Sequence, residues 1–169
     1  MLHHVLVPLD GSKLAEKSIG PAKHILREHG HITLATVIQA PKPPVYAYPS
    51  ADVVHEIQED SEYMTRAVPQ AQHYLESIAR NLRVNGYKVN IEILSGDPAS
   101  AIIELAEKIH PDVIVMSTHG RSGLSRFLFG SVTTKVLSTT AYPVLVIPNR
   151  QQAAETTKQS SSSSRHSPA

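Results

Sequence analysis

The sequence contains no cysteine, and its charges nearly cancel. Without cysteine, a disulfide framework, a thiolate nucleophile and a thiolate-ligated zinc site are all excluded, and a reducing compartment is a natural setting. A formal net charge of +1 does not suit a protein that depends on general attraction to nucleic-acid phosphates. We therefore expect no nucleic-acid partner.

Long apolar runs are also missing. No stretch approaches the roughly 18 apolar residues that a membrane span needs. The first residues, MLHHVLVPLDGS, lack the basic region and cleavage site of a signal peptide. We expect a cytoplasmic protein with no membrane partner.

The composition changes near the C-terminus. Residues 151–169 are polar, include five consecutive serines and show no apolar periodicity. This pattern predicts one α/β domain over residues 1–149, followed by a disordered Ser-rich tail over residues 150–169.

Within the domain, short apolar runs alternate with helical patterns. The predicted strands are residues 2–9, 31–38, 87–94, 113–116 and 144–147. Because parallel strands joined by helices are almost always connected by right-handed crossovers, the alternation predicts a doubly wound α/β fold. We expect an open parallel five-stranded sheet of strand order 3-2-1-4-5, with helices on both faces.

Glycine and proline predict where the helices bend and end. Gly20 and Pro21 predict a kink in a helix over residues 13–29, which Gly30 is expected to end. Pro69 is expected to divide a helical region over residues 51–85 into a short and a longer helix. Asp97 is a predicted N-cap, with Pro98 at the first helical position.

A sheet of this order has a predictable binding crevice. Ligands bind outside the carboxyl ends of the strands where the strand order reverses, here between the first and fourth strands. The loop after the first strand carries Asp10, and the loop after the fourth begins at Ser117. Val37, near the end of the second strand, offers apolar surface to a flat base. Asp10 has an alternative role as a helix-capping residue.

The second of these loops lies in a segment without acidic residues. Residues 113–154 contain no Asp or Glu but carry Arg121, Arg126, Lys135 and Arg150. A helix predicted to start at Gly130 offers unpaired N–H groups and the positive end of a dipole, and glycine lets a phosphate approach the backbone closely. The segment therefore favours an anion.

The glycines alone are not diagnostic. Gly120, Gly123 and Gly130 match neither the Walker pattern nor the dinucleotide fingerprint, so simple turns remain an alternative. The wider spacing, however, resembles the G-x2-G-x9-G-[ST] loop of nucleotide-binding members of the universal stress protein family. Here the run is Ser117, two residues, Gly120, nine residues, then Gly130 and Ser131.

The resemblance extends over roughly residues 1–148, because VLVPLDGS and YPVLVIP resemble the first and last strands of that family. It implies bound ATP, alone or with Mg²⁺, with Asp10 near the ribose or a metal ion, Val37 beside adenine, and the loop glycines around the phosphates. The implied binding residues are Pro8, Asp10, Val37, Met116, Ser117, Gly120, Arg121, Gly123, Gly130, Ser131, Val132 and Thr133, with Asp10 also the implied metal ligand. Ser117 departs from the family pattern, which has glycine there.

The family resemblance also implies a function. Beyond Asp10 the predicted loops contain no obvious catalytic base. A response-regulator receiver is disfavoured, since the acidic pair after the first strand and a lysine after the last are missing. We expect an ATP-binding stress-response or signalling protein with little or no turnover, acting as a homodimer through residues 144–147, an apolar edge strand. The alternatives are a nucleotide-independent dimeric interaction protein of the same fold, which Ser117 keeps open, and a slow ATPase.

Overall fold

The structure is a computed structural model that describes residues 1–39, 53–118 and 130–148, with the side chains of residues 53–61 left out. Five parallel strands form one sheet of order β3-β2-β1-β4-β5. The strands are β1 Leu2–Pro8, β2 Leu26–Ile38, β3 Lys88–Ser95, β4 Val113–Ser117 and β5 Val144–Ile147. The predicted fold class and strand order are confirmed.

The helices lie on both faces of the sheet. They are α1 Lys13–Glu16, α2 Ile19–Ile25, α3 Val53–Val84, α4 Pro98–Ile109 and α5 Ser131–Thr139. Residues of α1, α2 and α3 share one core cluster with one face of the sheet, and residues of α4 and α5 share the other. The chain adds β2 and β3 on one side of β1 and then returns to add β4 and β5 on the other side. Because every crossover is right-handed, the helices of the two halves lie on opposite faces of the sheet.

The predicted helix over residues 13–29 is wrong in two respects. It is broken at Ser18, whose buried hydroxyl donates to the Ala15 carbonyl at 2.6 Å, rather than at Gly20 and Pro21. Pro21 lies in the first turn of α2, where a missing N–H costs no helical hydrogen bond.

The end of that helix also differs from the prediction. Helix α2 ends at Ile25, and Gly30 lies inside β2 instead of ending a helix. A Cβ on Gly30 would lie 2.9 Å from Cδ2 of the buried Leu26 and 3.0 Å from the Arg27 carbonyl oxygen, so a larger residue here would require both neighbours to shift. The residue before Gly30, His29, has a left-handed backbone conformation with φ of 58°.

Helix α3 is continuous across Pro69, so the predicted division into two helices is wrong. Pro69 lies on the exposed side of the helix. Helix α4 follows the prediction, with Asp97 accepting from the Ser100 N–H at 3.0 Å and Pro98 in the first turn.

Among the described residues, no helix combines the length and apolarity that a membrane crossing requires. The predicted boundary at residue 149 and the Ser-rich tail lie outside the part of the chain that the structure describes.

Candidate functional site

The first and fourth strands separate toward their carboxyl ends. They pair at Val5 with Val113 and at Leu6 with Ile114. Beyond this point β1 continues to Pro8 beside β2, and β4 continues to Ser117 beside β5. The sheet therefore opens at the point where its strand order reverses, which is where ligands bind in doubly wound folds.

A tight turn forms one side of this opening. After β1, the Leu9 N–H donates to the Ala35 carbonyl at 2.7 Å. Asp10 Oδ1 then accepts from the Ser12 N–H at 3.0 Å, and the intervening Gly11 has a φ of 82°, which favours glycine. The N-cap of α1 is Ser12, whose Oγ accepts from the Ala15 N–H at 3.1 Å. The carboxylate of Asp10 thus shapes the turn without being the helix cap.

The start of α5 forms the other side. The Thr118 N–H donates to the Ile147 carbonyl at 3.1 Å, and the Gly130 N–H donates to the Thr118 carbonyl at 2.6 Å. The chain therefore returns to the end of β4 where it begins α5. Of the residues predicted in this loop, Gly120, Arg121 and Gly123 lie outside the described residues.

The N-cap of α5 is Gly130, which has no side chain to bond the amides of the first turn. The first helical hydrogen bond runs from the Thr134 N–H to the Gly130 carbonyl at 2.9 Å. The N–H groups of Ser131, Val132 and Thr133 lie at the positive end of the α5 dipole. This geometry suits an anion at the helix start.

The side chain of Thr133 is structural. It is buried, and its Oγ1 donates to the Ser117 carbonyl at 3.0 Å, which ties the first turn of α5 to the end of β4. A direct role of Thr133 in binding is therefore restricted to its backbone N–H.

The remaining predicted residues lie on the neighbouring strand ends. Pro8 is paired with Ala35, and Val37 near the end of β2 is partly exposed. Met116 is buried in the core cluster beside α4 and α5, so its side chain belongs to that core. Ser117 is the last residue of β4 and is partly exposed.

Two contacts near the opening were not foreseen from the sequence. The Tyr74 hydroxyl on α3 donates to Glu16 Oε1 at 3.4 Å, and Lys13 Nζ lies 3.0 Å from Glu16 Oε2. Burial raises the pKa of Tyr74, and the carboxylates of Glu16 and Asp10 add to the rise. The sequence placed Tyr74 correctly on the apolar face of its helix, but a contact across 58 positions leaves no local signal.

A further contact that was not foreseen joins α5 to α4. Lys135 Nζ lies 2.8 Å from Asp97 Oδ2 and 3.2 Å from Ser100 Oγ. The lysine ammonium, followed by the Ser100 N–H and hydroxyl, lowers the pKa of Asp97. The pair joins the N-cap of α4 to the middle of α5 and connects the two helices on one face of the sheet.

The described residues contain no group of three or more His, Asp or Glu side chains able to hold a metal ion. A Mg²⁺ ion in the opening would therefore take most of its ligands from phosphates and water, with at most one carboxylate such as Asp10. Such coordination is usual for Mg²⁺ bound with nucleotides.

Comparison with known proteins identifies the family. The model of the universal stress protein family matches residues 1–148. The chain belongs to the universal stress protein family. Universal stress protein MJ0531 of Methanocaldococcus jannaschii is 31% identical over 145 residues, covering 85% of this chain and 80% of that protein.

Two solved structures of related proteins have the same fold. That of MJ0577, from the same organism, superposes with a TM-score of 0.76 at 27% identity and covers 89% of this chain and 99% of the other. An Arabidopsis thaliana family member with AMP bound has a TM-score of 0.61 at 16% identity, covering 89% and 94% of the two chains. This universal stress protein therefore shares its architecture with archaeal and plant relatives of widely different sequence.

Proposed function

We propose that this universal stress protein holds ATP in the opening between β1 and β4 and acts as a regulatory module with little or no turnover. The opening lies between the Asp10 turn and the start of α5, so it can offer a polar group to the ribose and backbone amides to the phosphates. The acid-free sequence from residue 113 to residue 154 adds no repulsion to a polyphosphate.

The observation that carries the proposal is the conformation of Gly130. Its φ of −57° and ψ of 155° are accessible to any residue, so the backbone itself does not require glycine. A helix start without a Cβ and without a side-chain cap leaves room for a group that approaches the first-turn amides closely. A phosphate is the ligand that fits these requirements best.

The predicted residues divide between three parts of the nucleotide. Asp10 accepts ribose hydroxyls or shares Mg²⁺ with the phosphates, since an isolated carboxylate facing a polyphosphate would be repelled. Val37 contacts the base. Pro8, Met116 and Ser117 contribute backbone at the strand ends, and the phosphates are surrounded by Gly120, Arg121, Gly123, Gly130 and the amides of Ser131, Val132 and Thr133. AMP bound to a family member of the same fold makes adenine nucleotides the first ligands to test.

Ser117 supports a second candidate function. It replaces the first glycine of the family pattern, and its side chain adds bulk at the mouth of the opening. If this bulk excludes the phosphates, the protein is a nucleotide-independent dimeric interaction module. A slow ATPase is a third candidate, but it needs a base that Asp10 would have to supply while also accepting the Ser12 N–H.

The proposed homodimer uses β5. This strand is apolar, lies at the edge of the described sheet and is partly exposed at all four positions. Antiparallel pairing with a second β5 would satisfy its outward backbone groups and cover its side chains. Sedimentation of wild type and Val146→Arg tests this pairing: a smaller assembly for the variant than for wild type supports it, and unchanged sedimentation of the variant contradicts it.

The nucleotide is tested directly on purified full-length protein. We expect acid extraction followed by chromatography to release an adenine nucleotide, and calorimetry of nucleotide-free protein to show saturable binding of ATP. GTP is the matched ligand control, and titrations with and without Mg²⁺ measure the contribution of the ion. Absence of both released nucleotide and heat with ATP would overturn the proposal in favour of the nucleotide-independent candidate.

A further inference from the structure

The edge of the sheet opposite to β5 is formed by β3, an eight-residue strand that pairs with β2 alone among the described residues. An edge strand presents a row of backbone N–H and C=O groups that a further strand can pair with. Beside it lies an open groove of about 360 Å³ between β3 and α4, lined by Glu92, Leu94, Glu104 and Lys108 among others. This edge is independent of the proposed nucleotide site.

One face of β3 carries an ordered set of polar side chains. Lys88, Asn90 and Glu92 alternate along the strand and therefore point to the same side of the sheet. Lys88 and Asn90 are exposed and Glu92 is partly exposed. Neither Lys88 nor Glu92 forms an ion pair with another described residue.

The order of these charges is self-complementary in one register. Two copies of β3 paired antiparallel around a two-fold axis at Asn90 place Lys88 of each copy directly opposite Glu92 of the other. A two-fold axis at Lys88 or at Glu92 would instead place like charges opposite each other, which is destabilising. Only the register centred on Asn90 places opposite charges directly opposite each other, so the charges favour a second copy of this chain in that register.

Helix α4 repeats the same arrangement. Glu104 and Lys108 are one helical turn apart, and neither is ion-paired within the described part of the chain. The two-fold axis would run the second α4 antiparallel on the same face of the sheet, with its acid and base in the opposite order. Pairing at β3 would also close the groove beside it.

We propose that the outer edge of β3 pairs antiparallel with β3 of a second copy, with Asn90 at the two-fold axis and Lys88 opposite Glu92. The interface joins two sheets into one and uses the edge that a β5 dimer leaves open. A protein with both interfaces would assemble beyond a dimer, since each protomer would have two partners.

Exchange of the charges at Lys88 and Glu92 tests the register. The experiment uses the Val146→Arg background, in which pairing through β5 is blocked, and circular dichroism checks that each variant is folded. We expect this protein to dimerise in sedimentation experiments, and Lys88→Glu or Glu92→Lys to raise its dissociation constant roughly ten- to thirty-fold, because two favourable pairs become repulsive. The double exchange should restore dimerisation, and so should mixing the two single variants. Equal association of single and double variants, or only monomers before any exchange, would overturn the proposal.

A cross-link provides a second measurement in the wild-type background, where β5 is unchanged. Because the chain has no cysteine, Asn90→Cys introduces a single thiol at the proposed axis, about 5 Å from its counterpart between Cβ atoms. Ser95→Cys is the matched control, since it is nearly isosteric, lies exposed on the same strand and would be about 33 Å from its counterpart along the strand.

We expect a short bis-maleimide to link the Asn90→Cys protein into dimers and to leave the Ser95→Cys protein largely unlinked. Charged residues on an edge strand can instead prevent pairing with another chain. If the charges of β3 have that role, the Asn90→Cys and Ser95→Cys proteins should be linked equally poorly. Equal linking of the two variants would overturn the proposal.

Discussion

The two ends of the sheet use aspartate differently. At the amino end, Asp112 Oδ2 accepts from the backbone N–H groups of His3 and His4 at 2.6 and 2.9 Å, which joins the start of β4 to β1 across more than a hundred residues of chain. At the carboxyl end, Asp10 accepts from the Ser12 N–H, a group two positions away. The first carboxylate holds neighbouring strands together, and the second shapes a local turn where the same two strands separate.

The other polar groups follow the same division. At the amino end, the rings of His4 and His31 stack with centroids 4.2 Å apart, and His4 Nε2 lies 2.9 Å from Thr33 Oγ1. At the carboxyl end, α5 begins at a glycine that provides no capping side chain. Polar groups at the amino end thus stabilise the fold, while those at the carboxyl end are the ones that we propose bind a ligand. Substitutions at the two ends should accordingly affect different measurements.

The largest expected effect is on ligand binding at the carboxyl end. In Gly130→Val, we expect ATP affinity to fall by at least about 100-fold, because the added methyl groups occupy the space next to the first-turn amides. The free energy of unfolding should fall by at most about 1 kcal/mol, since φ and ψ at this position are accessible to valine although valine is a poorer N-cap than glycine. Calorimetry and urea denaturation measure the two quantities.

The matched control for this substitution is Gly20→Val. Nothing lies within 4 Å of a Cβ at Gly20, and the position is in α2, away from both sides of the opening. Its ATP affinity should equal that of wild type. If Gly130→Val also bound ATP with wild-type affinity, the start of α5 would not be part of the site, and the contrast between the two ends would lose its main support.

An intermediate effect is expected at the amino end, on stability alone. Asp112→Ala removes two hydrogen bonds to a carboxylate, which we expect to lower the free energy of unfolding by about 1–2 kcal/mol after allowance for solvent screening at this exposed position. ATP affinity should not change. A loss of ATP affinity in a variant that remains folded would show that the two ends are coupled.

The same contact predicts an acid dependence. The His4 and His3 amides lower the pKa of Asp112 below its ordinary value of 3.8, because they stabilise the ionised carboxylate. The contribution of Asp112 is therefore complete above that pH and is lost as the pH falls through the folded-state pKa. Urea denaturation should show the difference between wild type and Asp112→Ala shrinking in this acidic range. Asp112→Asn keeps an acceptor without a charge, so its stability should show no such contribution.

The fold was predictable from the sequence because apolar or alternating runs mark the strands and the helical segments between them imply right-handed crossovers. The errors lie where tertiary packing overrides local signals. Gly30 matches a helix terminator, yet it lies inside β2, where a Cβ would crowd Leu26, and Pro69 matches a helix breaker, yet it lies on an exposed side of α3.

The candidate site was predictable in part for a related reason. The loops at Asp10 and Ser117 follow directly from strand order, and Gly130 is a local signal for a helix start. The contacts of Tyr74 with Glu16 and of Lys135 with Asp97 join different helices, so no spacing in the sequence indicates them. The burial of the Met116 side chain also depends on which face of the sheet α4 and α5 cover.

The smallest expected effect is the contribution of His4 to the pH dependence of stability. Burial lowers its pKa from the ordinary value of 6.5, and the neighbouring His31 lowers it further, while Asp112 opposes the change. The folded protein thus favours the neutral ring, and the unfolded chain binds the proton more readily.

Stability should therefore decline as the pH falls below 6.5 and level off below the folded-state pKa. In His4→Gln, which retains a polar side chain near Thr33, we expect this decline to be reduced by less than about 1 kcal/mol, as suits a partly buried group. The matched control is His73→Gln on the exposed surface of α3, which leaves the stack of His4 and His31 intact. An unchanged slope in His4→Gln would mean that the histidine stack does not respond to pH. The remaining pH dependence of stability at the amino end would then be that of Asp112, at a pH well below the range in which histidine titrates.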